Sequence, residues 1–375
     1  MLNKNSDYKN NAHKENLLKN YKIKEISNKE NKKSENNNKK YSQEVQNDFS
    51  EIKDKLKHLP FYEDFEIINY LDSGSESKVY KLLNKKKKKE FALKYIYNNK
   101  NNKKNINELK IASKLKNKNI IDLYGYFSSK QDNCEFHLME NAKYGNLRQF
   151  QIKSLKRSIL SESILCFLTN QILNGLCYCH NSKIAHMDIK PQNIVMDEFL
   201  NAKLIDFSIS INYGNKNLDE EIKLPFKGTS FYMPSEIINS KVIKYKDINK
   251  VDLYALGVIL YNMAFGKYPY NLDYEDEENY KLINQKINKK LEINNENKLS
   301  LYFIDFITKL LESDINKRIN IYEALKHPWI KGAKILLDEK ENTYNVTPFV
   351  INLITDNIKS FNDYIKNPKN DSFFN

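Results

Sequence analysis

The feature that most constrains this chain is a change of hydrophobic period partway along it. Between residues 62 and 140 the apolar residues come in short β-branched and aromatic runs: "FEIINYL", "KVYKLL", "EFALKYIY", "IIDLYGYF" and "EFHLME". Turn or charge clusters separate them, which is the signature of antiparallel strands. One helical stretch interrupts the series, "NINELKIASKLK" at 105–116, with Ile106, Leu109 and Ala112 or Ser113 along one stripe. After Gly145 the pattern turns helical, in "SILCFLTNQILNGLCYCHN" (163–181), "VDLYALGVILYNMAF" (251–265), "LYFIDFITKLLES" (301–313) and "IYEALKHPWI" (321–330). Strands first and helices afterwards predict an α+β fold of two lobes: a small antiparallel sheet with one main helix, and a larger, mainly helical lobe. A cleft between lobes is a natural ligand site.

With 375 residues, a sizeable core is available in one large or two ordinary domains. No apolar run reaches the roughly 18 residues of a membrane helix. The opening "MLNKNSDYKNNAHKEN" lacks a signal-peptide core, and Leu2 stands where N-myristoylation needs glycine. Four cysteines in so long a chain suit a reducing compartment. The expectation is an intracellular protein, cytoplasmic first with the nucleus left open, and no membrane partner. "CYCH" at 177–180 raises a metal site, but Cys177 and Cys179 point to different helix faces, which favours core packing.

A net charge of +13 raises nucleic acid as a partner. Much of that charge is diffuse. Residues 1–60 hold 14 Lys against 9 Asp and Glu in Asn/Lys-rich sequence, with no aromatic-Arg pattern for base stacking. That composition reads as a disordered, solvated extension and argues against nucleic acid. The run Lys85–Lys89 reads as a solvated hairpin turn ahead of an anionic docking patch.

Glycines number nine, so their placement is informative. Gly74, in "LDSGSESKVYKL", sits in a turn between two strands, where a missing Cβ lets backbone N–H groups approach a phosphate. Alone it is equally well an ordinary hairpin turn. Neither GxGxxG nor GxxxxGK[ST] occurs. Lys94, in "FALKYI", needs an anionic partner if it faces inward, and Glu108 on the following helix is the candidate. A wet strand face would explain Lys94 as well. The loop "HMDIKPQN" and "LIDFS" (204–208) complete a set. Asp188 can accept or orient a hydroxyl proton, Lys190 can neutralise a moving phosphoryl group, and Asn193 and Asp206 offer hard oxygen donors suited to Mg²⁺.

In this order the motifs resemble the eukaryotic protein kinase superfamily, over roughly residues 62–332. "LDSGSESKV" is similar to its Gly-rich loop, "FALK" to its lysine strand, "HMDIKPQN" to its catalytic loop, "DFS" to its metal-binding DFG, and "GTSFYMPSE" to the end of its activation segment. The resemblance implies a two-lobed kinase fold at 61–330, with lobes at 61–142 and 143–330, between the 1–60 extension and a 331–375 tail. That tail contains "FVINLITDNIKSFNDYI", the pattern of one amphipathic helix. It implies ATP with Mg²⁺, or Mn²⁺ in its place, and protein substrates bearing Ser or Thr acceptors; oligomeric state is left open. The roles it implies make Asp188 the catalytic base and Lys190 the γ-phosphate contact. Lys94 would hold the α/β phosphates, braced by Glu108, with Asn193 and Asp206 on the metal. Leu71, Gly74, Val79, Ala92, Lys94 and the hinge Met139, Glu140, Asn141 and Ala142 would surround ATP. His186, Thr229, Asp252 and the pair Glu236–Arg318 would be structural supports. Lys190 and "GTSFY" resemble the serine/threonine branch.

The departures from that pattern carry their own expectations. Asp72 and Ser77 replace the outer loop glycines, and the Asp72 charge predicts weaker ATP binding. Met187 stands where the family often has an arginine that receives an activation-loop phosphate, and a methionine cannot do this. "INYGNKNLDEEIKLPFK" (211–227) holds no Ser or Thr. Together these predict activity without activation-loop phosphorylation, with Asp219–Glu221 shaping the segment. Ser208 in place of the DFG glycine should restrict flipping of that motif. Neutral Asn146 and Gln192 argue against a strict demand for upstream arginine. "DYEDEEN" (273–279) is a solvated loop or an attractor of basic partners. The alternative reading is a pseudokinase scaffold, suggested by the eroded loop and by "DFS".

Overall fold

The structure, a computed structural model, describes residues 52, 55–57, 62–74, 76–97, 108–129, 132–155, 159–272, 279–289 and 291–332. The expectations for most of 1–60, for 273–278 and for 333–375 lie outside the described residues. Five strands, β1 (Phe65–Ser73), β2 (Ser77–Asn84), β3 (Glu90–Ile96), β4 (Leu123–Ser129) and β5 (Cys134–Glu140), form one sheet in the order β1-β2-β3-β5-β4. β3 and β5 run antiparallel, with Ala92 opposite Met139 and Lys94 opposite His137. β4 pairs antiparallel with β5 through a register shift between Leu123 and Gly125.

The chain divides into two compact units, one of residues up to 72 with 80–89 and one of residues 73–79 with 90–375. In the first, Ile52 and Leu56 lie one helical turn apart and are buried. Beside them Lys55 is half-buried and Lys57 is exposed. The lysine run makes the β2–β3 turn: the Asn84 N–H donates to Lys89 O at 2.9 Å, and the Asn84 side chain accepts from the Lys87 N–H at 2.7 Å. Lys86 pairs with Asp64 at 2.7 Å, on the surface.

The second unit contains α1 (108–112), α2 (Glu162–Asn181), α3 (Ser235–Ile238), α4 (Lys250–Phe265), α5 (Tyr280–Ile287), α6 (Leu301–Leu310) and α7 (Ile321–Lys326). α4 is apolar nearly all round, so it can only run through the core; thirteen of its sixteen residues are buried. Gly257 lets it do so, since a Cβ there would lie 2.9 Å from Leu310 Cβ on α6. The sequence pattern "IYEALKHPWI" breaks at His327, where Pro328 removes a donor and restarts the helix. α1 differs from expectation. It ends at 112, and the buried stripe is Glu108, Ile111 and Leu115, whereas Leu109 and Ala112 are half-buried and Ser113 is exposed. Ile106 of the expected stripe lies outside the described residues, Ala112 packs against the large core, and Glu108 is turned inward by Lys94.

Three small antiparallel pairs position the loops between the helices. β6 (Ile184–Ala185) pairs with β9 (Ile211–Asn212), β7 (Ile194–Met196) with β8 (Ala202–Leu204), and β10 (Glu221–Lys223) with β11 (Val242–Lys244). Among the described residues no helix is long and apolar enough to cross a membrane.

Candidate active site

The loop between β6 and β7 is held from below by one buried carboxylate. Asp252, in the first turn of α4, accepts the His186 N–H at 2.9 Å and the Met187 N–H at 2.8 Å, and its Oδ2 lies 2.9 Å from His180 Nε2. Burial pushes the Asp252 carboxyl up, but His180 and His186 outweigh it and hold the group below the ordinary aspartate value. Those bonds keep Met187 in the left-handed region, φ 70°, which costs a non-glycine residue about 1–2 kcal/mol. The His186 ring packs on Phe207 with centroids 4.9 Å apart, and its Nε2 lies 2.9 Å from Ile205 O. Thus "CYCH" supplies a brace: His180 binds Asp252 and Cys179 is core, and no metal-binding cluster occurs among the described residues.

With the loop so pinned, its polar side chains converge. Asp188 Oδ2 accepts from Lys190 Nζ at 2.8 Å and from Asn193 Nδ2 at 2.8 Å, and Asn193 Nδ2 also reaches Asp188 O at 2.9 Å. Thr229 closes the cluster: its Oγ1 accepts from Lys190 Nζ at 3.0 Å and lies 3.4 Å from Asp188 Oδ1. Gly228 brings Thr229 there with φ +119°, and a Cβ would meet Met187 O at 3.4 Å. Only glycine adopts that backbone without strain.

A second cluster lies on β3. Lys94 Nζ is 2.8 Å from Glu108 Oε1 and 3.7 Å from Asp206 Oδ1. The wet-face alternative for Lys94 is therefore excluded. Burial lowers the Lys94 pKa, but Asp206 and Glu108 more than offset this and hold it above the ordinary lysine value. Burial likewise raises Asp206, and Lys94 with Ser208 outweighs it, keeping the carboxyl well below the usual carboxylate range. Asp206 adopts φ 64° and its Oδ1 accepts the Ser208 N–H at 3.3 Å. Asn193 spends its amide nitrogen on Asp188, which leaves the side-chain oxygen as its remaining donor to a cation. That oxygen and the Asp206 carboxylate form a hard pair of the kind Mg²⁺ or Mn²⁺ takes from a protein while keeping water and phosphate ligands.

The remaining sequence candidates are placed as follows. Gly74 heads a tight turn, its N–H donating to Ser77 O at 2.8 Å. Val79 lies in β2 and Leu71 in β1, both half-buried, while Ala92 is buried on β3 opposite Met139. The Glu140 N–H donates to Asp122 O at 2.9 Å, Asn141 Nδ2 donates to Glu90 at 2.9 Å, and Ala142 ends the segment half-buried. Glu236 and Arg318 form a bidentate buried pair at 2.6 and 3.3 Å, with the guanidinium also 4.9 Å over the Tyr254 ring. Asn146 uses its side chain to cap the helical turn Leu147–Gln149. Sequence reasoning missed Lys203, buried against Glu140 and Asp197, and Glu162, which accepts from Trp329 Nε1 at 2.8 Å and from the Ser300 N–H at 2.8 Å. No local pattern marks either.

A two-lobed α+β fold with a lysine–glutamate pair and an Asp-x-Lys-x-x-Asn loop is the architecture of phosphoryl-transfer enzymes. The chain belongs to the protein kinase family, whose domain model matches residues 65–330, and its relatives lie in the serine/threonine branch. Aurora kinase A-B of Xenopus laevis is 31% identical over 275 residues, covering 72% of this chain and 62% of that protein. Aurora kinase of Dictyostelium discoideum is 30% identical over 275 residues, covering 72% and 66%. "Probable serine/threonine-protein kinase fhkA" of Dictyostelium discoideum is 30% identical over 303 residues, covering 71% and 50%. The chain thus spans about half to two thirds of the length of these relatives.

Proposed function

We propose that the chain is a serine/threonine protein kinase that transfers the γ-phosphoryl group of ATP to protein hydroxyls and needs no phosphate on its activation segment. The observation that carries the transfer reading is the convergence of Lys190, Asn193 and Thr229 on the Asp188 carboxylate. An incoming hydroxyl hydrogen-bonded to Asp188 is oriented for in-line attack on Pγ; its proton passes to that carboxylate as the new O–Pγ bond forms and the bond from Pγ to the β,γ-bridging oxygen breaks, releasing ADP. Lys190, already 2.8 Å from Asp188, offsets charge on the phosphoryl oxygens. Lys94, kept charged by Glu108 and Asp206, holds the non-transferred phosphates. Asn193 and Asp206 would hold Mg²⁺, which when bound neutralises phosphate charge and screens the leaving oxygen. Ala92 and the backbone of Met139–Ala142 would take the adenine. Glu236 and Arg318 would brace the segment that presents Thr229. Lys94, Glu108, Asp188, Asn193 and Asp206 together argue against the scaffold reading, because a non-catalytic fold has no use for a lysine buried beside two carboxylates.

Independence from activation-segment phosphorylation is supported by packing. Met187 is buried with Tyr213, Leu224, Met233 and Tyr245, so the position that could have held a phosphate-binding arginine belongs to an apolar cluster. The segment itself is tied by the β10–β11 ladder and by Asp219, which lies 2.9 Å from Lys246 and 3.5 Å from Lys244. The test is MgATP-dependent phosphorylation of a generic Ser/Thr protein substrate by dephosphorylated protein, with Asp188→Asn as control. Transfer by wild type and not by the variant is expected. Transfer that appears only after phosphorylation of a residue between Ser208 and Ser230 other than Thr229 would refute the second part. Intact nucleotide binding with no transfer at all would refute the first.

A further inference from the structure

Lys203 lies in β8, three residues before Asp206, flanked by the buried apolar residues Ala202 and Leu204. Its side chain is only 8% exposed. Nζ is 3.0 Å from Glu140 Oε2 and 3.7 Å from Asp197 Oδ2. Burying an ammonium between two carboxylates is costly, and a well-packed apolar residue in a strand is commonly as stable or more so. Packing alone therefore does not account for a lysine here.

What Lys203 joins is informative. Glu140 belongs to the Met139–Ala142 segment, and Asp197 begins the turn between β7 and β8. Asp197 is itself committed, accepting the Phe199 N–H at 2.9 Å, the Asn201 N–H at 2.7 Å and Asn201 Nδ2 at 2.8 Å. Backbone bonds run beside the ionic tie. The Tyr144 N–H donates to Met196 O at 3.0 Å, the Met196 N–H to Gly145 O at 2.9 Å, and the Ile121 N–H to Leu204 O at 3.1 Å. Any side chain at 203 would permit those bonds. Inside the segment the Glu140 N–H donates to Asp122 O at 2.9 Å, the Asp122 N–H lies 3.4 Å from Glu140 Oε2 and Asn141 Nδ2 donates to Glu90 at 2.9 Å, and Lys203 adds the tie that joins the Glu140 carboxylate to β8. Asn193 immediately precedes β7 and Asp206 follows β8 by two residues. The strand pair that carries the hard oxygen donors is thus the one that Lys203 ties to Glu140.

We propose that Lys203 is a positioning residue that registers the backbone of Glu140–Ala142 against Asn193 and Asp206, and so sets the span between the adenine end and the phosphate end of bound nucleotide. This rests on the nucleotide reading of the site given above. Misregistration acts on nucleotide binding before it acts on transfer, because the backbone that carries Asp188 is held at His186 and Met187 by Asp252, which Lys203 does not touch.

The experiment compares the full chain with Lys203→Met, Lys203→Arg and Asp197→Asn, reading KM for ATP, kcat, a direct ATP titration and Tm. Lys203→Met is expected to raise KM and the ATP Kd about tenfold while kcat falls by no more than about twofold. Lys203→Arg, which keeps the charge and can bridge both carboxylates, should return both to within about threefold of wild type. Asp197→Asn should lower Tm and leave KM unchanged. The proposal is overturned if Lys203→Met leaves KM at the wild-type value, or if Asp197→Asn raises it as much. Should Lys203→Met not fold, Lys203→Met/Glu140→Gln removes both charges of the pair and must show the same rise; an unchanged KM there overturns the proposal. Wild-type protein that binds no ATP would overturn the nucleotide reading itself, a distinct result from a wild type that binds and a variant that matches it.

Discussion

Replacing Asp252 by asparagine tests whether one buried carboxylate holds the catalytic loop. In the protein, Oδ1 accepts from the Met187 N–H and Oδ2 accepts from the His186 N–H and faces His180 Nε2. An asparagine keeps one acceptor and turns an NH₂ towards the other side. Its least costly orientation points that NH₂ at the Met187 N–H, which leaves a buried donor without a partner at about 1–3 kcal/mol. The two surviving bonds fall from the charged to the neutral range, about 1 kcal/mol each. The sum is about 3–5 kcal/mol, within the ~5–15 kcal/mol that a domain has to lose, so the variant should still fold. Met187 then has nothing to hold φ at 70°, and its relaxation carries Asp188, the next residue, with it. A displacement of about 1 Å costs about 10² in rate. Urea unfolding at pH 7 should show the stability loss, and kcat should fall about 100-fold with a smaller change in KM. The pH dependence has a definite sign. The folded pKa of Asp252 is depressed, so its contribution is full above the ordinary aspartate value of about 3.9 and is lost as pH falls through the lower folded value. The gap between wild type and variant should be level from about pH 5 to 8 and close only in acid. A variant within about 1 kcal/mol of wild type, with kcat retained, would refute the reasoning.

Two further substitutions bear on the same loop. Met187→Arg restores the residue type common in the family, but places a guanidinium among Tyr213, Leu224 and Met233; urea unfolding should show a loss of about 2–5 kcal/mol, and phosphate on the segment should produce no activation. A gain in activity on phosphorylation would contradict this. Gly228→Ala puts a side chain at φ +119° beside Met187 O, a strain of about 1–3 kcal/mol that moves Thr229 off Asp188; kcat should drop about tenfold while Tm falls only slightly, and an unchanged kcat would count against the role given to Thr229.

Much of the molecule is legible in the sequence, for a physical reason. The long helices are written in local periodicity: α2 and α4 begin and end within one or two residues of the apolar runs at 163–181 and 251–265. The polar groups of the transfer site were legible because Asp188, Lys190 and Asn193 share one short loop, where spacing along the chain already limits spacing in space. What tertiary structure decided is every choice between equivalent local solutions. The Lys94–Glu108 pair was legible from the chemistry of a buried lysine, but that Glu108 and Ile111 make the inner stripe of α1 was decided by the fold, which turns Glu108 in to Lys94 on β3. Met187 took a left-handed backbone because Asp252 holds it, 65 residues away. Likewise Lys203 met Glu140 across a strand order that only the folded chain creates. Propensity and period act over a few residues, whereas the partner of a buried charge is found wherever the fold brings one, and the cost of leaving that charge alone is what makes the choice.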